Sequence, residues 1–324
     1  MPGSSVQATL RPASTTRMAR SGLGDRFFQS VTFLAAMAIA LLFILVAYLL
    51  YRGSHLSIEK FGWRFLLTST WDPVAEQYGA LPLIYGTVVS SLIALLIAVP
   101  LSIGTAIYLT DLAPLWLRQP LVSVIEMLAA VPSVIWGLWG IFVMVPWLRD
   151  HAFPLLKRYL GFLPLFQGPI YGVSMLAGGI IVAIMILPIV TSVSREILRA
   201  VPDLQREAAY GLGATRWEVT RIAVLSYARR GLMGAAVLGL GRAVGETMAV
   251  TMVIGNRPEI ARSLFAPGYT LASVIANEFT EATTDTYLNA LFELGLVLMG
   301  VTILVHILAL ILIKTIATPG SRHA

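Results

Sequence analysis

The sequence predicts an all-α integral membrane protein with six transmembrane helices and both termini in the cytoplasm. Three observations predict it. Of 324 residues, 57% are hydrophobic and 12% charged, about half the charge of an ordinary soluble domain. Six apolar runs are each long enough to cross a hydrocarbon core of about 30 Å. The basic residues are unevenly shared between the two sets of connectors, which fixes an orientation.

Taken in order, residues 1–26 are rich in Ser, Thr, Pro and Arg with only Asp25 acidic, a composition expected of a disordered cytoplasmic tail. The run 27–51 is too long for a signal-peptide core and has no small-residue cleavage site after it, so it reads as a retained first span. Further spans are expected at 83–109, 121–147, 172–193, 231–254 and 290–316, followed by a cytoplasmic tail at 317–324. The N-terminal tail, the loop with Arg118, the loop 194–230 and the C-terminal end carry fourteen Lys and Arg, against eight in the three other connectors. The first set is therefore assigned to the cytoplasm. This distribution accounts for the net charge of +6 without nucleic acid. The outer connectors hold Trp63, Phe65 and Trp71, and a short interfacial helix is expected at Leu271–Phe279. Interface anchoring and packing is one reading of them, and a platform for an external solute-binding protein is the other.

The sequence carries no catalytic constellation. It has no Cys, no glycine-rich phosphate loop ending in Lys and Ser or Thr, and four dispersed histidines, His55, His151, His306 and His323, so no metal site and no nucleotide site is expected. Energy for active transport must come from a partner or an ion gradient.

The sizeable polar interruption dense in arginine is Asp203–Leu225. Asp203 after Pro202 is placed to cap a helix from Leu204. Gly211 and Gly213 loosen the chain, and Thr215 with Glu218 has capping-box spacing, predicting a second helix near Arg216. Two short helices joined by a glycine turn beside a membrane make a shape for docking another protein. Glu207-Ala208-Ala209, three residues, then Gly213 resembles the EAA motif of permease subunits from ATP-driven importers, whose loop helix fits a groove in the ATPase subunit. Leu225 falls on a later Leu position of that pattern, whereas Ala223 and Ser226 stand where it has a larger aliphatic residue and Pro.

Charged residues within the expected spans are Glu126, Arg242, Glu246 and Glu293. Each costs on the order of 2.5–3.5 kcal/mol at a helix centre, so each should face protein or water. On a continuous helix Arg242 and Glu246 share a face, and Gly241 and Gly245 form G-x-x-x-G for close helix approach. Two readings stay open: an ion pair fixing helix packing, or Arg242 as a transient anion contact that Glu246 keeps from binding too tightly. Glu126 is expected near the inner interface and Glu293 at the exposed outer surface. Pro132 should bend its helix, with Gly137 and Gly140 permitting tight packing beyond it.

Ala129–Gly140 and Gly241–Val250 are similar to segments of PstC-type permease subunits of phosphate importers, and the resemblance spans nearly the whole chain after Phe27. It implies the type I ABC importer permease fold in the plasma (inner) membrane of a prokaryote. It also implies a homologous PstA-type permease partner, an ATPase dimer of PstB type and an external phosphate-binding protein of PstS type. No cofactor would bind this chain, ATP and Mg belonging to the ATPase. On that resemblance Glu207, Ala208, Ala209 and Gly213 couple motion, while Arg242 and Glu246 meet or gate phosphate. A permease for sulfate or molybdate, or an ion-coupled carrier acting alone, are the alternatives.

Overall fold

The computed structural model describes residues 23–316, all helical apart from turns and two isolated β-bridges. The expected tails at 1–26 and 317–324 lie outside these residues, except that the first helix, α1 (Leu23–Gly53), already begins at Leu23. The chain divides at Leu49/Leu50, α1 up to that point belonging to one unit and everything from Leu50 on forming another.

Within the second unit, α2 (His55–Phe61) and α3 (Arg64–Leu67) precede α4 (Leu81–Ile107), which a π-turn extends over Tyr108–Leu112. Next come α5 (Leu115–Ala129), α6 (Ser133–Leu160), α7 (Met175–Arg199), α8 (Asp203–Gly211) and α9 (Arg216–Val219). After a π-turn at Thr220–Val224 follow α10 (Leu225–Gly245), α11 (Met248–Val253), α12 (Leu271–Glu278) and α13 (Asp285–Ile316).

Four of these helices are long and apolar enough to cross a membrane, ending at Gly53, Leu112, Arg199 and Thr315. The expected span at 121–147 is broken instead of continuous. Pro132 disfavours helical backbone at the residue before it, and α6 leaves α5 at 93°. The expected span at 231–254 is also broken, because Glu246 is extended (φ −69°, ψ 126°). Arg229, Arg230 and Arg242 keep α10 too polar, and the six residues of α11 too short, to span alone.

The two breaks meet. At the start of α6, a Cβ on Gly137 would lie 2.6 Å from Met252 Sδ and 3.1 Å from Ala249 Cα, and one on Gly140 would lie 2.9 Å from Val253 Cγ1. Glycine at these two positions therefore lets α11 cross α6 at backbone distance. The principal core surrounds this crossing, with Ala94 and Ala98 from α4, Ile181, Ala183 and Ile186 from α7, and Val250 and Val253 from α11.

A second core lies under the connector between α3 and α4. Phe65 and Trp71 are buried there with Tyr78 and Tyr287, whose rings stack at 5.5 Å, whereas Trp63 is 85% exposed. The expected interfacial helix forms as α12, but it is inserted into the protein. Its Thr270–Ser273 capping box satisfies the helix start internally, and Leu271, Ser273 and Val274 are fully buried. Leu271 N–H donates to Thr87 Oγ1 at 2.9 Å, and α4 admits this segment because Gly86 abuts the Tyr269 carbonyl.

Substituting Gly86 by Ala should destabilise the folded protein by about 1–3 kcal/mol, since the new methyl meets immovable backbone. Gly104→Ala on the same helix has open space around it and should be neutral or stabilising by up to about 1 kcal/mol. Thermal unfolding in detergent compares the two. Gly137→Val should likewise lower the transition by forcing α6 from α11, with a cost of about 1–3 kcal/mol.

Candidate functional site: a docking hairpin and a pair of broken helices

The hairpin α8–α9 is built as a rigid bracket. Pro202 occupies the N-cap in extended geometry, so Asp203 is the first helical residue and makes no side-chain cap. This corrects the expected cap: the carboxylate acts on the helix dipole instead. Gly213 adopts φ +83°, and its N–H donates to the Tyr210 carbonyl at 2.9 Å, a left-handed turn that suits glycine. The Thr215–Glu218 capping box forms in full, with Thr215 N–H donating to Glu218 Oε2 at 2.7 Å and Glu218 N–H donating to Thr215 Oγ1 at 3.4 Å. The Thr215 backbone and hydroxyl donors hold the Glu218 carboxyl below its ordinary range.

Glu207, Ala208 and Gly213 are exposed and Ala209 half-buried. Sequence reasoning missed the apolar residues beside them: Leu212 is 90% exposed, Leu204 73% and Trp217 60%. Large side chains exposed on a tightly hydrogen-bonded hairpin mark a contact surface. The signal was present, since Leu212 and Trp217 flank the glycine turn where solvent-facing loops normally carry polar residues.

The second region is the helix break. Arg242 ends exposed in the last turn of α10, while Glu246 lies just beyond it at 9% exposure. The helix stops between them, so the shared face expected from their spacing is lost. No salt bridge joins them among the described residues. Around the Glu246 carboxylate are the backbone N–H groups of Thr247 and Ala249, the Ser133 hydroxyl and, further off, the Arg242 guanidinium. Thr247 itself donates to the Gly245 carbonyl at 3.1 Å. The break at Pro132–Ser133 and the break at Glu246–Thr247 thus bring polar groups together that one continuous helix would have separated.

The glycines divide in role. A Cβ on Gly241 would lie 3.0 Å from the His306 ring of α13, so close approach is real there, whereas Gly245 has open space on its Cβ side. Glu126 sits 3.8 Å from Arg195 and stays 59% exposed. Glu293, expected at the exposed surface, is only 7% exposed. The reason is α2, which packs along α13 through the bond from Leu56 N–H to Asn289 Oδ1 and places buried Ser57 nearby. Among the described residues no His, Asp and Glu cluster could hold a metal ion.

Residues 98–320 match the model of a family described as "binding-protein-dependent transport system inner membrane component". A protein of Mesorhizobium japonicum named "Phosphate transport system permease protein PstC" is 47% identical over 94% of this chain and 96% of its own length. The protein of that name from Haemophilus influenzae is 48% identical over 89% of this chain and 93% of its own. A "Probable phosphate transport system permease protein PstC" of Methanocaldococcus jannaschii is 37% identical over 89% and 93%. Among solved structures, an inward-facing MetNI methionine ABC transporter chain aligns with TM-score 0.50 at 17% identity, covering 73% of this chain and 94% of that one, a likeness of fold. With its exposed hairpin and paired helix breaks, the chain belongs to the family of binding-protein-dependent transport system inner membrane components.

Proposed function

We propose that the chain is the permease subunit of an ATP-driven importer that moves inorganic phosphate into the cytoplasm by alternating access. Relatives named for phosphate transport at 47% and 48% identity over about nine-tenths of the chain support the substrate. The single structural observation that carries the ATP-driven part is the hairpin α8–α9: Leu204, Leu212 and Trp217 are held out to solvent on a fixed scaffold. An ion-coupled carrier acting alone has no use for such a surface. Glu207, Ala208, Ala209 and Gly213 sit on it, and the occupant is an ATPase subunit of PstB type, which supplies ATP and Mg. A PstA-type permease and a PstS-type binding protein complete the assembly. Exposed Trp63 and Val74 on the opposite connector suit the latter. The broken pairs α5–α6 and α10–α11 each make one crossing, giving six with both termini and the loop 194–230 in the cytoplasm.

Closure of the ATPase dimer moves α8–α9, and the helices that carry them swing the permease between inward- and outward-facing states. Phosphate passes the helix break, where Arg242 is the exposed cation. At about 4 Å and an effective dielectric near 20, one unit charge pair is worth about 4 kcal/mol, equivalent to a millimolar Kd. That is enough to lower the barrier and too little to trap the ion, as a pathway requires. Glu246, buried beside the break, keeps the field there from becoming strongly positive.

In cells carrying the intact transporter, Arg242→Gln should abolish phosphate uptake while the ATPase still co-purifies. Gly213→Pro, which cannot adopt φ +83°, should lose the ATPase. Normal uptake in both variants would contradict the assignment. Uptake of phosphate that excess sulfate or molybdate suppresses equally would reassign the substrate to another oxyanion.

A further inference from the structure

Outside the family-like motif, the hairpin is fastened to the membrane helices through one carboxylate. Asp111 lies in the π-turn that extends α4, 11% exposed, with Oδ1 accepting from Arg206 Nη1 at 2.7 Å. Its Oδ2 lies 3.2 Å from Thr220 Oγ1, whose single proton it shares with the Arg216 carbonyl at 3.1 Å. Arg206, on α8 and 20% exposed, also donates through Nη2 to the Leu198 carbonyl in the last turn of α7 at 3.1 Å. Thr220 is buried and opens the π-turn after α9. One side chain of α4 therefore holds both arms of the hairpin, and its arginine partner reaches α7. Beside this node is a polar hollow of about 320 Å³, lined also by Tyr210 and Arg216.

A half-buried ion pair of this kind is weak evidence for stability, because desolvation offsets its attraction; fixing a register is its best-attested use. Stability at this level comes from the apolar layer of Ala106, Leu198, Val201, Val224 and Ala228. Two π-turns, at Tyr108–Leu112 and Thr220–Val224, supply the two sides of the node, and such turns frequently sit at functional positions. The bonds are directional and tie α8 and the α9 end to α4 and α7. A displacement of the hairpin is thereby passed to helices that pack against the α6–α11 crossing.

We propose that Asp111 is a positioning residue for energy coupling: through Arg206 and Thr220 it transmits movement of the docking hairpin to α4 and α7. The inference rests on the reading of α8–α9 as the ATPase contact. The test uses the complete transporter in proteoliposomes with its binding protein, measuring labelled phosphate taken up per ATP hydrolysed and the ATPase-to-permease ratio after purification. Asp111→Ala should keep the ATPase ratio at the wild-type value and keep hydrolysis, while phosphate per ATP falls by about tenfold. The conservative Asp111→Glu, which keeps both acceptor oxygens for Arg206 and Thr220, should recover most of that loss. Phosphate per ATP within about twofold of wild type in Asp111→Ala, loss of the ATPase from that variant, or no recovery in Asp111→Glu would each overturn the proposal. The underlying reading fails separately: if Leu212→Ser with Trp217→Ser leaves ATPase co-purification and uptake unchanged, the hairpin is not the contact and the proposal falls with it.

Discussion

Backbone N–H and C=O groups in hydrocarbon must find partners within the protein, and that constraint governs this structure at its two broken helices. Irregular backbone at Ala130–Pro132 and at Glu246–Thr247 is tolerable only where protein or water covers it. The fold supplies the cover by laying the short helix α11 across the start of α6 at Gly137 and Gly140. The principal apolar core is arranged around that crossing: α4 and α7 back it with alanine and isoleucine. The breaks bring a carboxylate, hydroxyls and an arginine together within the apolar surroundings of that crossing.

The hairpin α8–α9 solves a different problem. It holds apolar side chains out to solvent without collapsing onto its own scaffold. A left-handed glycine, a complete capping box and the Asp111 node each fix it by directional bonds, and none of these requires Leu212 or Trp217. Those two residues remain outside, available for contact. On the proposed function, this bonding lets a push on the hairpin move helices instead of bending the loop.

Much of this was legible in the sequence. The length of the apolar runs placed the four long apolar helices that end at Gly53, Leu112, Arg199 and Thr315, and the T-x-x-E spacing of Thr215 and Glu218 marked the start of α9. Pro132 announced the first break, because proline removes a donor and restricts its neighbour. The second break was not legible: no proline lies near Glu246, and the spacing of Arg242 and Glu246 fits a continuous helix. At the interruption Glu246 turns to the local N–H groups of Thr247 and Ala249 and to the hydroxyl of Ser133, which is distant in sequence. Glu293 and α12 failed for a related reason, since burial by α2 and by α4 depends on contacts between segments distant in sequence. The Asp111–Arg206 pair spans 95 positions, and no local pattern signals it.

The most direct measurement exploits the absence of native cysteine. A single cysteine at Thr247, in the helix break, is introduced into the assembled transporter and treated with a membrane-impermeant thiol reagent from each side. The nucleotide-free complex and the complex trapped with ATP and orthovanadate are compared. An alternating-access pathway through this break predicts labelling from the cytoplasmic side in the first state and from the opposite side in the second. Absence of labelling from either side in both states would contradict it and leave the break as packing alone.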